Sequence, residues 1–168
     1  MLAIAVSCAT FLLASSVLAQ PGSPAPAQAA PQKLSASAIQ VERTDPPPDL
    51  VIPEDFRIST YENVLLQLEK TKKFQTVYRS GDQRAAGVKD LIILKLVPQA
   101  YTAGSQKQRE VTTIKGATSI TIKVQFTDRD GKVLLEKDIQ GKVRFYGENL
   151  NATYDFAKKV AKVVNESF

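Results

Sequence analysis

The 168-residue chain contains no histidine, no tryptophan, one methionine and one cysteine. Without histidine it cannot use a Ser-His-Asp or Cys-His catalytic arrangement, histidine-ligated zinc or an imidazole pH switch. Cys8 lies in the apolar N-terminal stretch, so removal of that stretch would leave no disulfide, thiolate nucleophile or cysteine metal site. We therefore expect a binding or structural role, with no enzyme activity, no metal and no cofactor.

The N-terminal stretch is typical of a signal peptide. Residues 1–19 carry no charge, and Val17 and Ala19 place small residues three and one before Gln20, as signal peptidase requires. A Pro- and Gly-bearing segment follows at once and cannot continue a helix. We predict a signal peptide over 1–19 with cleavage between Ala19 and Gln20.

Three alternatives for this leader stay open. It could be an uncleaved membrane anchor, for which it is barely long enough. No Lys or Arg precedes Lys33, whereas a signal peptide opens with one, so either the true start lies upstream or the leader is atypical. Residues 5–8 loosely resemble a lipobox ending at Cys8, although only seven residues precede that cysteine.

Proline content and charge both divide the rest of the chain near residue 53. Eight of the nine prolines lie between Pro21 and Pro53. The net charge is −1 up to Pro53 and +6 from Glu54 onward. We predict a Pro-rich spacer over 20–53, with a first strand near 39–43, and a folded domain over 54–168.

Apolar spacing predicts the elements of that domain. Large apolar residues recur every three or four positions from Ile58 to Leu68, which indicates a helix. Strands are predicted over 74–78, 90–97, 120–126 and 133–145, and a second helix over 150–164. The order α-β-β-β-β-α predicts an α+β two-layer sandwich, with a mostly antiparallel four- to five-stranded sheet and two helices packed on one face.

Several segments of the domain resemble a known type of bacterial domain. They are residues 68–77, where a helix runs into a Phe-x-x-Val strand, residues 90–94, the loop around Gly104 and the hairpin at residues 130–132. Over roughly 39–168 the chain resembles a domain-of-unknown-function family of envelope lipoproteins, similar in fold to the TolB N-terminal domain and to curli-secretion lipoproteins. The resemblance implies a scaffold or assembly role in the envelope of a Gram-negative-type bacterium, and it carries no catalytic residues.

Positively charged side chains form the main candidate binding surface. They lie in the polar loop over 99–117 and at polar positions of the last two strands: Lys107, Arg109, Lys115, Lys123, Lys142 and Arg144. Such a surface would suit an acidic protein, anionic lipid headgroups or lipopolysaccharide. It lacks interleaved aromatic residues, so we expect no nucleic-acid partner. A solvated face with scattered acids is the competing interpretation.

Two acidic motifs have alternative interpretations. Asp128, Asp130 and Gly131 match part of a calcium loop, but the further ligands are absent and Asp-Gly favours a hairpin turn. Glu136 and Asp138 share one strand face and could form an acid–base pair, although a solvated strand surface accounts for them more simply. Neither Gly-Lys pair has the glycine spacing of a phosphate-binding loop.

The sequence therefore predicts an exported protein of the periplasm or outer-membrane periphery. We expect it to bind another envelope protein through its sheet face, a strand edge or the 99–117 loop. The alternative is a periplasmic ligand-binding or hydrolytic protein with a pocket between helices and sheet. The sequence leaves the partner and the oligomeric state open.

Overall fold

The structure is a computed structural model that describes residues 33–43, 45–112, 115–145 and 147–168. The predicted signal peptide, its cleavage site and the first part of the spacer lie outside the described residues. No helix within the described ranges is long and apolar enough to cross a membrane.

The described chain forms one five-stranded sheet with helices on one face. Its strands are β1 (Ala38–Arg43), β2 (Thr76–Tyr78), β3 (Leu91–Thr102), β4 (Thr118–Thr127) and β5 (Val133–Val143). Its α-helices are α1 (Glu54–Thr71), α2 (Gln106–Val111) and α3 (Asn151–Ser167), and a 3-10 helix spans Gln83–Gly87. The predicted α+β sandwich is confirmed. From α1 to α3 the elements run α-β-β-β-β-α, with the 3-10 helix and α2 inserted between strands.

The strand order is β2-β1-β3-β4-β5, which places β1 inside the sheet. β1 runs parallel to both β2 and β3, whereas β3, β4 and β5 pair antiparallel. The sheet is therefore mixed rather than mostly antiparallel. The strand expected near residues 39–43 belongs to the folded domain, because α1 forms the crossover that lets β1 and β2 run in the same direction.

One face of the sheet is covered by α1 and α3. The strand residues that point to it alternate along β1, β3 and β4, and those at its centre are fully buried: Ile39, Val41, Leu94, Val124 and Phe126. From α3, Phe156 and Val160 are buried against them. Alternation with period two on strands and three to four on helices is what a single apolar interface requires.

The opposite face of the sheet is polar except at one corner. There Ala85, from the 3-10 helix, packs on Ala38 and Leu91. Arg129 holds the segment in place, because its guanidinium donates to the carbonyl oxygens of Ala85 and Ala86 at 2.5 and 2.8 Å. The rest of this surface, which we call the free face, has no helix over it in the described part of the chain.

Candidate interaction surfaces

Arg109 does not lie on the predicted basic surface, because it is only 2% exposed. Ser105 caps α2, and Arg109 turns inward from that helix. Its guanidinium donates to the carbonyl oxygens of Gly116 at 2.6 Å and Gly147 at 2.7 Å. Arg109 is thus a structural link that ties α2 to the segments before β4 and α3.

The other predicted cations are divided between two places. Lys123 and Lys142 occupy strand positions, whereas Lys107, Lys115 and Arg144 are exposed near the end of the sheet where β3 meets β4. The structure therefore does not gather the six residues into one patch. Whether the exposed ones bind an anionic partner stays a prediction.

Acidic side chains offset the lysines of the free face. The Lys123 Nζ lies 3.0 Å from Glu136 Oε1, and the Lys95 Nζ lies 4.0 Å from Glu42. The hydrogen bond that Lys123 donates to Glu136 raises the pKa of Lys123. The hydrogen bonds that Glu136 accepts, first from Gln125 and then from Lys123, lower the pKa of Glu136. The centre of the free face therefore carries paired charges, as the competing interpretation expected.

The two acidic motifs also have structural partners. The Asp128 carboxylate accepts from the Lys132 backbone N–H at 2.8 Å, and Gly131 has a φ of +83°, so this segment is the expected hairpin turn. Glu136 is engaged by its two neighbours, and a lowered pKa is the opposite of what a general acid needs. No group of three or more Cys, Asp or Glu residues in the described ranges could hold a metal ion.

The exposed edge of β5 is partly closed by α3. The Lys142 backbone N–H donates to Asp155 at 2.9 Å, and the Lys159 Nζ donates to the carbonyl oxygen of Gln140 at 2.7 Å. Asp155 and Lys159 also pair with each other at 2.7 Å. Further along the edge, residues 136–138 are Glu-Lys-Asp, and such charges disfavour pairing with another strand.

A cleft opens between the first half of α1 and the covered face of the sheet; we call it the α1 cleft. Its volume is about 60 Å³. Its lining is apolar below and charged at the mouth: Arg43, Ile52, Glu54, Arg57, Ile58, Thr60, Tyr61, Leu96, Pro98, Ile120 and Ile122. The sequence did not predict this cleft. The strand residues on its floor follow the same alternation of apolar and polar positions as the strand residues of the closed core, so the sequence pattern does not distinguish them.

Tyr61 and two arginines shape the mouth of the α1 cleft. The Arg43 guanidinium lies 4.6 Å from the centre of the Tyr61 ring. The Tyr61 hydroxyl donates to the Val41 carbonyl and accepts from the Ser80 N–H at 2.7 Å, so the ring is fixed. Arg57 pairs with Glu54 at 2.8 Å and with Asp45, whereas Arg43 has no carboxylate partner among the described residues.

The end of the sheet beyond β3 and β5 carries a small exposed apolar surface, which we call the tip patch. It consists of Val111, which is 84% exposed at the end of α2, and Phe145, which is 55% exposed just after β5. The Arg109–Gly147 hydrogen bond joins the two segments that carry them. Contact with another protein would remove both side chains from water.

Comparison with known proteins identifies the fold. No family model and no curated protein matches the chain. PelC from Paraburkholderia phytofirmans, solved as a dodecamer, aligns with a TM-score of 0.57 and 12% identity over 79% of this chain and 92% of PelC.

A Helicobacter pylori homologue of a neuraminyllactose-binding hemagglutinin aligns with a TM-score of 0.42 and 10% identity over 82% of this chain and 90% of its own. A TM-score of 0.42 is too low to support a conclusion about this chain. The more specific resemblance to TolB and curli-secretion lipoproteins stays a prediction. The chain thus has the fold of PelC.

Proposed function

We propose that the chain is an exported bacterial envelope protein that acts without catalysis, by assembling with further copies of itself. The observation that supports this most is the fold shared with PelC, which was solved as a dodecamer. Because the alignment covers 92% of PelC, the likeness extends over nearly the whole PelC chain rather than one motif.

The sequence supports the export part of the proposal. An uncharged apolar leader ends at a small-residue cleavage pattern, and a Pro-rich spacer follows it. Pro-rich sequences act as spacers, and this one would separate the folded domain from the point of export.

The surfaces of the protein support self-assembly better than they support binding to an extended anionic surface. The free face is charge-balanced at its centre, and the edge of β5 is partly closed. The tip patch and the α1 cleft are two apolar features that remain open to solvent. A protein contact would remove both from water, which is the main favourable contribution to association.

The test is the oligomeric state of the purified full chain. Light scattering coupled to size-exclusion chromatography should give a mass that is a multiple of the single-chain mass. Crosslinking in intact envelopes should give the same multiple. A monomer at every concentration, with no self-crosslink in the envelope, would overturn the proposal. Intact mass of the exported protein would show whether the chain begins at Gln20.

The α1 cleft gives some support to a second function, the binding of a small ligand. It has an apolar floor, and Arg43 at its mouth forms no ion pair with the described residues, which would suit an apolar molecule with a carboxylate. Its volume of about 60 Å³ is far below the roughly 300–1,000 Å³ of common ligand pockets. A thermal-shift screen of small carboxylates should therefore give no stabilisation, and a clear shift abolished by Arg43→Gln would favour this alternative.

A further inference from the structure

We infer that the tip patch of one copy fills the α1 cleft of the next copy, so that the protein assembles through two different surfaces. This rests on the proposed function, because it names the contact by which copies would join. The occupant of the cleft is then a segment of the same chain, centred on Val111.

The mouth of the α1 cleft at Arg43 and the tip patch at Phe145 lie toward the same end of the sheet but at different strands. Arg43 ends β1 and pairs with Leu96 in β3, and it lies at the mouth of the α1 cleft. Val143 ends β5 and pairs with Thr118, so Phe145 lies at this same end. Because β3 and β4 lie between Arg43 and Phe145 across the sheet, the mouth of the cleft and the tip patch of one copy are separate, and each is open to a different neighbour.

The size of the α1 cleft matches a side chain rather than a metabolite. About 60 Å³ gives room for one branched aliphatic group. Val111 projects from the end of a short helix and is 84% exposed, so its side chain is free to enter a neighbour. An exposed apolar group and an open apolar cleft are each unfavourable in water, and one contact would bury both.

Charge beside the two surfaces is complementary. Among the described residues, neither Arg43 at the cleft nor Glu110, next to Val111, forms an ion pair within 4.0 Å. Glu110 accepts only a hydrogen bond from Gln106, at 3.0 Å, on its own helix. The proposed contact would bring Arg43 of one copy to Glu110 of the next, and opposite charges placed in this way fix the register of an interface.

A contact between two different surfaces has a consequence for symmetry. Each copy would offer one cleft and one tip patch, so copies would join head to tail. Such contacts form a ring when the rotation closes and a filament when it does not. A symmetric dimer that uses the same surface twice is not expected.

The experiment mixes two variants of the full chain, each damaged on one side only. Val111→Asp spoils the tip patch, and Ile58→Asp spoils the wall of the cleft; both side chains are exposed, so both variants should fold. Each variant alone should be monomeric by light scattering. An equimolar mixture should form heterodimers and nothing larger, because only one intact cleft and one intact tip patch remain in each pair.

A charge exchange tests the register. Arg43→Glu and Glu110→Arg should each weaken assembly at least about tenfold, because each brings like charges together. The double variant should assemble to within about threefold of the unmodified protein, because the opposite pairing is restored. Val133→Asp is the control, since Val133 is exposed at the other end of β5 and should leave assembly unchanged.

The outcomes separate this inference from the proposed function. If the unmodified protein assembles but the Val111 and Ile58 variants assemble equally well, the assigned contact is wrong and self-assembly stands. Assembly of the mixture beyond the dimer would also overturn the head-to-tail contact. If the unmodified protein is always monomeric, both are wrong. Circular dichroism and thermal unfolding of each variant show that lost assembly is not lost folding.

Discussion

The two faces of the sheet differ in the interactions that their side chains make. On the covered face, Val124 and Phe126 are fully buried beneath α3, so stability depends on how closely α3 packs against the sheet. On the free face, Lys123 and Glu136 form an ion pair in contact with water, and such pairs contribute little to stability. The difference indicates that the covered face determines the fold, whereas the free face tolerates change.

The largest expected effect concerns the close approach of α3 to β5. Gly141→Ala adds a Cβ that would lie 2.5 Å from the Cβ of Phe156 and would overlap the carbonyl oxygen of Ala152. Because α3 must shift to make room, we expect the free energy of unfolding to fall by about 1–3 kcal/mol. Urea unfolding monitored by circular dichroism measures the change.

The matched control for this substitution lies on the other side of the sheet. Gly87 ends the 3-10 helix, and a Cβ there would meet nothing within 4 Å. Gly87→Ala should therefore change stability by no more than about 0.5 kcal/mol. Equal effects of the two substitutions would contradict the assignment of tight packing to the covered face alone.

A smaller effect is expected at the packed corner of the free face. Arg129→Ala removes both hydrogen bonds to the carbonyl oxygens of Ala85 and Ala86, so the 3-10 helix should loosen over Leu91. We expect a loss of about 1 kcal/mol, the usual net value of such hydrogen bonds at a partly exposed site. Thermal unfolding and faster hydrogen exchange over 83–87 would show it.

The control for the corner is Arg144→Ala. Arg144 is exposed and makes no hydrogen bond or ion pair within the described ranges. Its removal should leave stability and exchange over 83–87 unchanged. If both arginine variants behave alike, the effect reflects net charge and not the contact with the 3-10 helix.

The main elements of the covered face could be predicted from the sequence because burial imposes a period. The alternation from Ile120 to Phe126 and the helical spacing from Ile58 to Leu68 gave correct elements. Ile58 begins the predicted apolar spacing of its helix but is exposed near the first turn of α1. Periodicity predicts which residues share a helix face, but it does not show where along the helix the sheet leaves that face uncovered.

Two further features depend on distant parts of the chain, so sequence alone did not show them. The internal position of β1 requires the α1 crossover, and parallel pairing leaves no local sequence signal. The burial of Arg109 requires the carbonyl oxygens of Gly116 and Gly147, and the latter lies 38 residues away. A lone arginine in a polar loop looks the same whether it is solvated or enclosed. The predicted binding surface was wrong at this position for that reason.

The smallest expected effect is the acid sensitivity of the free face. Hydrogen bonds from Gln125 and then Lys123 hold the pKa of Glu136 below its usual 4.5. Because the folded protein binds this proton less readily than the unfolded chain, the contribution of Glu136 to stability is fully present above about pH 4.5. It is lost as the pH falls through the lowered value.

Glu136→Gln should therefore flatten the decline of the unfolding free energy below about pH 4.5, because glutamine takes up no proton there. The slope should not vanish, since Arg79 lowers the pKa of Glu62 in the same direction. Glu148→Gln, at an exposed residue outside the sheet, should keep the slope of the unmodified protein. Urea titrations across this pH range measure all three proteins. A slope in Glu136→Gln as steep as that of the unmodified protein would mean that the Lys123–Glu136 pair adds nothing to stability in acid.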